Sequence, residues 1–168
     1  MNRPATSRAA ERCGVRLPIF QAGMAGLAGP ELAAEVSNAG GLGHLGGLRL
    51  APKALRQLIR KTRELTDKPF GVNLVPQYGG PEVFDASLRV VFEERPKALS
   101  LFYGDFGDVI PRARDAGIVT MVQVGSVAEA RKRVRTSALK KRWAKSVSVP
   151  LRSPKVMCSP TARPSTWV

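Results

Sequence analysis

A turn of small residues follows a largely apolar segment near the start of the chain. Residues 17–21 lead directly into Ala22, Gly23 and Met24. Small side chains allow the backbone to approach a flat ligand closely. In a parallel α/β sheet, ligands bind at the carboxyl ends of the strands, and this turn is predicted to lie at such an end. The turn is therefore a candidate binding surface.

The amide side chain of Asn73 is a second candidate. Asn73 lies near the end of a predicted strand, residues 70–75, that follows Pro69. A buried amide needs hydrogen-bond partners for both its nitrogen and its oxygen. Asn73 could therefore cap a loop or contact a ligand, and its position alone favours neither.

The glycines Gly41, Gly43 and Gly46 match the GxGxxG pattern of dinucleotide-binding proteins. In those proteins the glycines follow a strand and open a helix, so that the pyrophosphate meets the helix N-terminus. Here a predicted helix precedes the glycines, and the next helix begins only at Pro52. We interpret them as a helix C-cap followed by a closely packed strand. His44, the only histidine, is interpreted as a packed or strand-end residue.

Short apolar segments alternate with amphipathic helices up to about residue 134. Predicted strands begin near residues 17, 42, 70, 98 and 118, and Ser126 with Glu129 forms a capping box that predicts a further helix. This alternation implies a parallel sheet with right-handed crossovers. Two α/β folds fit: an incomplete TIM-type (β/α) barrel of about five parallel βα units, or an open five-stranded doubly wound sheet. The periodicity does not choose between them.

The net charge of +14 is concentrated near one end of the sequence. Residues 1–130 contain 16 of the 27 Lys and Arg residues and all 13 Asp and Glu residues, whereas residues 131–168 contain the other 11 basic residues. A block of like charge is usually solvated. We therefore expect residues 1–134 to form the folded domain and residues 135–168 a disordered basic tail. Nucleic-acid binding is disfavoured because the charge does not lie on a folded face.

The composition indicates no membrane or metal partner. No apolar run approaches the roughly 20 residues that cross a bilayer. Cys13 and Cys158 form neither a metal-binding spacing nor a disulfide framework, so we interpret them as reduced thiols of a cytoplasmic protein. The sequence does not indicate an oligomeric state.

Three segments, which follow one another in the same order as in the family, resemble the nitronate monooxygenases, formerly called 2-nitropropane dioxygenases. They are QAGMAG at residues 21–26, PELAAEVSNAGGLG at residues 30–43 and LTDKPFGVNL at residues 65–74. The same segments resemble the related flavin-dependent enoyl-acyl-carrier-protein reductases. The similarity continues through LSLFYG at residues 99–104 and QVGSVAEA at residues 123–130. It covers roughly residues 12–134.

The resemblance implies a barrel that holds FMN at the carboxyl ends of its strands. Ala22, Gly23 and Met24 would line the flavin ring. Asn73 would hydrogen-bond to the ring, and Gln123 would face the same cavity. The implied reaction oxidises a nitronate or nitroalkane with oxygen to a carbonyl compound and nitrite, and FMN carries the electron chemistry. Gly23 stands where many of the monooxygenases have proline and the reductases often have glycine, so an FMN- and NADH-dependent enoyl-thioester reductase is an alternative.

Two features of the family beyond the fifth strand have no counterpart in this sequence. One is the loop with the histidine that serves as the base, and the other is the set of glycine-rich loops that bind the cofactor phosphate. The role of the base does not transfer to His44, so the catalytic residue is left unassigned. We expect a truncated, impaired flavoprotein whose tail arises from a change of reading frame near codon 134. A non-catalytic remnant with a nucleic-acid-binding tail is the alternative from another class.

Overall fold

The fold is a parallel sheet with helices between its strands. A computed structural model describes residues 7–77, 79–102 and 104–136. Within these residues the strands are β1 Gly43–Gly46, β2 Phe70–Leu74, β3 Ala98–Leu101 and β4 Val119–Val122. The helices in the same part of the chain are α1 Arg8–Cys13, α2 Pro30–Asn38, α3 Pro52–Leu65, α4 Gly80–Glu94, α5 Val109–Asp115 and α6 Val127–Thr136.

The strands pair in parallel in the order in which they occur along the chain, β1-β2-β3-β4. A doubly wound sheet would reverse its strand order at a switch point. Sequential order is instead typical of the wall of a (β/α) barrel. The prediction of an incomplete TIM-type barrel is confirmed, and the alternative of an open doubly wound sheet is wrong for the described residues.

One face of the sheet packs against the helices. Leu45, Val72 and Leu99 on neighbouring strands are fully buried there. Helices α2 to α5 supply apolar side chains to the same core, among them Ala33, Leu55, Ile59, Leu88, Val91 and Ala113. Burying a side chain as large as leucine contributes roughly 1.5–3 kcal/mol. This core therefore fixes which face of each strand is turned away from the helices.

The prediction of a first strand at residues 17–21 is wrong. This segment lies beside β1, but it forms only an isolated parallel bridge, between Phe20 and Leu42. Pro18 has no N–H group and cannot donate to a ladder. The Gln21 side chain, rather than the backbone beyond it, bonds to the next part of β1, donating to the His44 carbonyl over 3.1 Å. The segment thus occupies the predicted place with less regular pairing.

Helix α1 was not predicted from the sequence. The hydroxyl of Ser7 accepts a hydrogen bond from the Ala10 N–H at its start, and Gly14, with φ of 68°, ends it in the left-handed region. Cys13 in this helix is a buried free thiol. Its apolar packing partners include Leu42 and Ala98, at the amino ends of strands. The helix therefore covers the amino edge of the sheet.

The helix start predicted from Ser126 and Glu129 is confirmed at α6, although the second bond of the capping box goes to Gly125 and not to Ser126. The Glu129 N–H donates to the Ser126 hydroxyl, while the Glu129 carboxylate accepts from the Gly125 N–H. The helix continues through Thr136, two residues beyond the predicted domain boundary. The rest of the predicted tail, including Cys158, lies outside the described residues. No helix within the described part of the chain is long and apolar enough to cross a membrane.

The carboxylate of Glu94 joins α4 to α3. It is 8% exposed and accepts hydrogen bonds from Arg56 at 2.9 Å, Arg60 at 3.0 Å and Arg63 at 2.8 Å. Burial raises the pKa of Glu94, but the hydrogen bonds from the three guanidinium groups outweigh it, so the pKa is lowered. The neighbouring Glu93 pairs with Arg56 at an exposed position.

We expect Glu94→Gln to lower the free energy of unfolding by about 1.5–3 kcal/mol at pH 7, because bonds to a charged group are lost. The control Glu93→Gln should cost less than about 1 kcal/mol, as exposed pairs do. Since the folded pKa is lowered, the stabilisation by Glu94 is present above the unfolded pKa of roughly 4.3 and is lost as the pH falls through the folded pKa. Urea unfolding of both variants between pH 3 and 7 measures this, and equal losses would contradict it.

Candidate functional site

Four residues lie side by side in the sheet near its carboxyl edge. The register pairs Gly46 of β1 with Asn73 of β2, Asn73 with Ser100 of β3, and Ser100 with Met121 of β4. Side chains alternate along a strand, and Leu45, Val72 and Leu99 face the helices. The row from Gly46 to Met121 is therefore on the opposite face, which is the inner face of a barrel wall.

The turn at residues 22–25 packs directly on this row. A Cβ atom at Gly23 would overlap the Cβ of Asn73 and lie 3.2 Å from the Leu45 carbonyl oxygen. A Cβ atom at Gly46 would lie 2.5 Å from the carbonyl oxygen of Met24. The backbone of the turn therefore packs directly against β1 and β2, and neither glycine has room for a side chain. The structure brings Gly23, Met24 and Asn73 together.

Hydrogen bonds on both sides hold the turn in place. Before the turn, the Gln21 amide donates to the His44 carbonyl over 3.1 Å, and its oxygen accepts from the His44 N–H over 3.4 Å. After the turn, the Ala28 N–H donates to the Met24 carbonyl over 2.8 Å, and the Gly46 N–H donates to the Ala28 carbonyl over 3.0 Å. Gln21 is thus a positioning residue that could not be recognised from the sequence.

Asn73 is half-buried and is oriented by β3. Its Nδ2 atom donates to the Ser100 hydroxyl over 3.1 Å and approaches the Ser100 carbonyl at 3.4 Å. A carbonyl only accepts, so the amide nitrogen must be the atom that faces it. Oδ1 of Asn73 accepts no hydrogen bond from the described part of the chain. The amide thus keeps an acceptor available at the carboxyl edge, and Ser100 is a positioning residue that the sequence did not reveal.

The other sequence-predicted site residues lie at the same edge. Ala22 is exposed, and Met24 is 39% exposed. Gln123 follows β4 directly, its N–H donates to the Leu101 carbonyl over 2.9 Å, and its side chain is exposed. Strand β3 separates it from Asn73 on β2. Its facing a shared cavity stays a prediction.

His44 is buried on the inner face of the sheet, one layer below Gly46. Its ring lies against Gly71, where a Cβ atom would overlap it, and the residue is 2% exposed. Neither ring nitrogen has a hydrogen-bond partner in the described part of the chain. Burial lowers the pKa of His44, and nearby backbone groups of Leu42 and Gln21 oppose this only in part. The interpretation of His44 as a packed residue is confirmed.

We expect His44→Leu to stabilise the protein, because a buried polar group without partners costs about 1–3 kcal/mol. His44 is the only histidine. With its folded pKa lowered, the unfolded chain takes up the proton first, so wild-type stability should fall as the pH drops below about 6.5. This slope should be missing in His44→Leu. Urea unfolding at pH 5.5 and 7.5 measures it, and an unchanged slope in the variant would refute the assignment.

The close contact at Gly23 should make this position intolerant of any side chain. We expect Gly23→Ala to reduce the free energy of unfolding by about 1–3 kcal/mol, the usual effect of overpacking. Gly107→Ala is the matched control, because its Cβ atom would meet only a carboxylate oxygen of Asp105, at 3.8 Å. The control should change stability by less than about 0.5 kcal/mol. Equal effects in chemical denaturation would show that the turn does not pack as described.

The chain resembles known proteins in sequence and in fold. Residues 6–83 match the family model of nitronate monooxygenase. Over 124 residues the chain is 36% identical to a (3aS,4S,5R,7aS)-5-hydroxy-7a-methyl-1-oxo-octahydro-1H-indene-4-carboxyl-CoA dehydrogenase of Rhodococcus jostii, covering 73% of this chain and 34% of that protein. It is 35% identical to a nitronate monooxygenase of Paraburkholderia phytofirmans over 153 residues, 70% of this chain and 42% of that one.

A solved structure shows the same arrangement of elements. FabK from Thermotoga maritima superposes with a TM-score of 0.74 at 34% identity, covering 80% of this chain and 42% of FabK. The chain thus spans between 34% and 42% of the length of these relatives. Over residues 6–83 the chain is similar to the nitronate monooxygenase family, and its parallel sheet is arranged as in FabK.

Proposed function

We propose that this chain is part of an FMN-dependent oxidoreductase of the nitronate monooxygenase type. One observation carries the proposal: the backbone of Gly23 and Met24 meets Asn73 and Gly46 at the carboxyl edge of the sheet. Ligands of parallel α/β folds bind at this edge. The relatives and the family model support the same class of enzyme.

The residues at this edge fit a flat heteroaromatic ring. Ala22 and Met24 are exposed next to backbone that carries no bulky side chain. Asn73 has a free acceptor, Oδ1, which matches an N–H donor of a flavin. In the proposal, Ala22, Gly23 and Met24 line the ring, Asn73 fixes its orientation, and Gln123 faces the same space.

FMN, when bound, supplies the electron chemistry that oxidises a nitronate with oxygen to a carbonyl compound and nitrite. The protein residues bind and orient. Ser100 holds the Asn73 amide so that Oδ1 stays directed away from β3. Gln21 and the glycines hold the turn against β1. We assign no proton transfer to His44, because its ring is buried against Gly71.

A second candidate is an enoyl-thioester reductase that uses FMN and NADH. The resemblance of residues 21–26, 30–43 and 65–74 to the flavin-dependent enoyl-acyl-carrier-protein reductases supports it, as does glycine rather than proline at position 23. The clash that a Cβ atom at Gly23 would make with Asn73 is consistent with glycine here. The Rhodococcus jostii relative is named a dehydrogenase of a carboxyl-CoA compound, which adds a thioester substrate to the candidates. Nitronate-dependent oxygen consumption favours the first function, and NADH oxidation that requires an enoyl thioester favours the second.

A non-catalytic protein with a nucleic-acid-binding tail is the candidate from another class. The basic residues that would bind lie mostly beyond residue 136, outside the described part of the chain. Binding of this kind depends steeply on salt. Loss of DNA or RNA binding on substituting the tail lysines and arginines, with no flavin bound, would favour this candidate.

Asn73→Ala should weaken FMN binding by about 2- to 10-fold, the effect of losing one net hydrogen bond. Asn38→Ala is the matched control, because the Asn38 amide oxygen also takes part in a hydrogen bond, accepting from the Thr66 hydroxyl, but Asn38 lies at the carboxyl end of α2. FMN binding is measured by quenching of flavin fluorescence during titration with the 168-residue chain. Equal affinities for wild type and Asn73→Ala would remove Asn73 from the site.

A further inference from the structure

A basic pocket lies at the amino edge of the sheet, opposite the proposed flavin site. It has a volume of about 420 Å³ and is formed by the loops that precede β2 and β3, together with the last turn of α3. Four of its lining side chains are cationic and one is acidic, namely Arg63, Lys68, Arg95, Lys97 and Asp67. We call this the amino-edge pocket. Nothing in the proposed oxidoreductase chemistry uses it.

Two of the four cations are paired within the protein and two are not. Arg63 bonds to Glu94 over 2.8 Å, and Lys68 pairs with the adjacent Asp67 at 3.0 Å. Arg95 and Lys97 have no ion pair within the described part of the chain. Among the described residues the pocket therefore has two positive charges without an ion-pair partner, on Arg95 and Lys97, next to the guanidinium of Arg63, which is paired with Glu94.

Helix ends account for some of these cations but not for all. Helices α3 and α4 both end near the pocket, and a helix C-terminus carries roughly half a negative charge that attracts Lys and Arg. The two helix ends together carry about one negative charge. This is less than the two positive charges of Arg95 and Lys97, which have no ion-pair partner in the part of the chain that the structure describes. The interaction explains Arg63, which lies within the last turn of α3. Lys97 lies beyond the end of α4, so the helix end explains it less well.

The backbone at Arg95 is also unusual. Arg95 caps α4 with φ of 47° and ψ of 58°, in the left-handed region where glycine or asparagine ordinarily stands. A side chain with a Cβ atom is disfavoured there. A residue held in a sparsely populated conformation commonly marks a functional position. Here the strained position carries a charged group into the pocket.

We propose that the amino-edge pocket binds a small phosphate-bearing anion through Arg95 and Lys97, with Arg63 and Lys68 adding positive charge. Its volume falls within the range of small-molecule sites. The planar guanidinium of Arg matches phosphate oxygens in a bidentate geometry, and Lys adds a point charge. The Thr66 hydroxyl is engaged with Asn38 and is not assigned to the ligand. This site is separate from the proposed flavin edge, since it lies at the other ends of the strands.

Pyrophosphate is the probe, titrated calorimetrically into the full chain at 50 and 150 mM salt. The double variant Arg95→Gln/Lys97→Gln should weaken binding at least 10-fold at the lower salt. Arg89→Gln, which removes one exposed charge from the same helix α4 outside the pocket, should change the affinity less than 2-fold. If the double variant keeps wild-type affinity, pyrophosphate binds to other basic residues and the proposal fails. Tighter binding of an acidic peptide than of pyrophosphate would also overturn it.

A backbone variant separates charge from folding. Arg95→Gly should raise the melting temperature, because glycine adopts this φ without strain, yet it should weaken pyrophosphate binding several-fold. Arg49→Gly is the matched change at another arginine with positive φ, 61°, located beyond β1 near the other edge. It should leave pyrophosphate affinity unchanged. Equal weakening by both variants would mean that only net charge matters, and the pocket assignment would be lost.

Discussion

Contact between the backbone of residues 22–25 and the first two strands determines the geometry of the carboxyl edge. Glycines make this contact feasible, since a Cβ atom at Gly23 or Gly46 would collide with the facing chain. Directly after β1, the Gly47 N–H donates to the Asn73 carbonyl over 2.9 Å and so joins the two strands beneath the turn. In a turn held this closely Ala22, Met24 and Ala25 are exposed, whereas Gly23 is half-buried against Asn73. The glycines, which have no side chain, therefore determine where the candidate binding surface lies.

Much of the architecture could be predicted from the periodicity of apolar residues and from the glycines and prolines that end or begin helices. Pro52 begins α3 as expected, and Gly40, with φ of 97°, lies in the turn that follows α2. The choice between a barrel and a doubly wound sheet could not be predicted, because both have the same local pattern and differ only in strand order. The first strand was overestimated because the apolar content of residues 17–21 does not reveal that their backbone pairing ends at Leu42, beyond which the Gln21 side chain bonds to His44.

Some residues of the candidate site could likewise be predicted from the sequence, and others could not. Gly23, Met24 and Asn73 could be named from residue type and from their places at predicted strand ends, and the structure brings these three together. Ser100 could not be named, because its bond to Asn73 joins residues 27 positions apart on different strands. The roles of Ala22 and Gln123 toward a cofactor stay predictions. The Glu94 cluster was missed because three arginines along one face of α3 give no indication of which carboxylate they meet.

The burial of the strands is uneven across the sheet. Val72 and Leu74 on β2 are almost fully buried, whereas all four residues of β4 are half-buried. Within the described residues β4 pairs with β3 alone. Local opening of a protein begins where few apolar contacts oppose it. Amide hydrogens of β4 should thus exchange with solvent well before those of β2, and a protease that needs an extended segment would gain access to β4 before it reached β2.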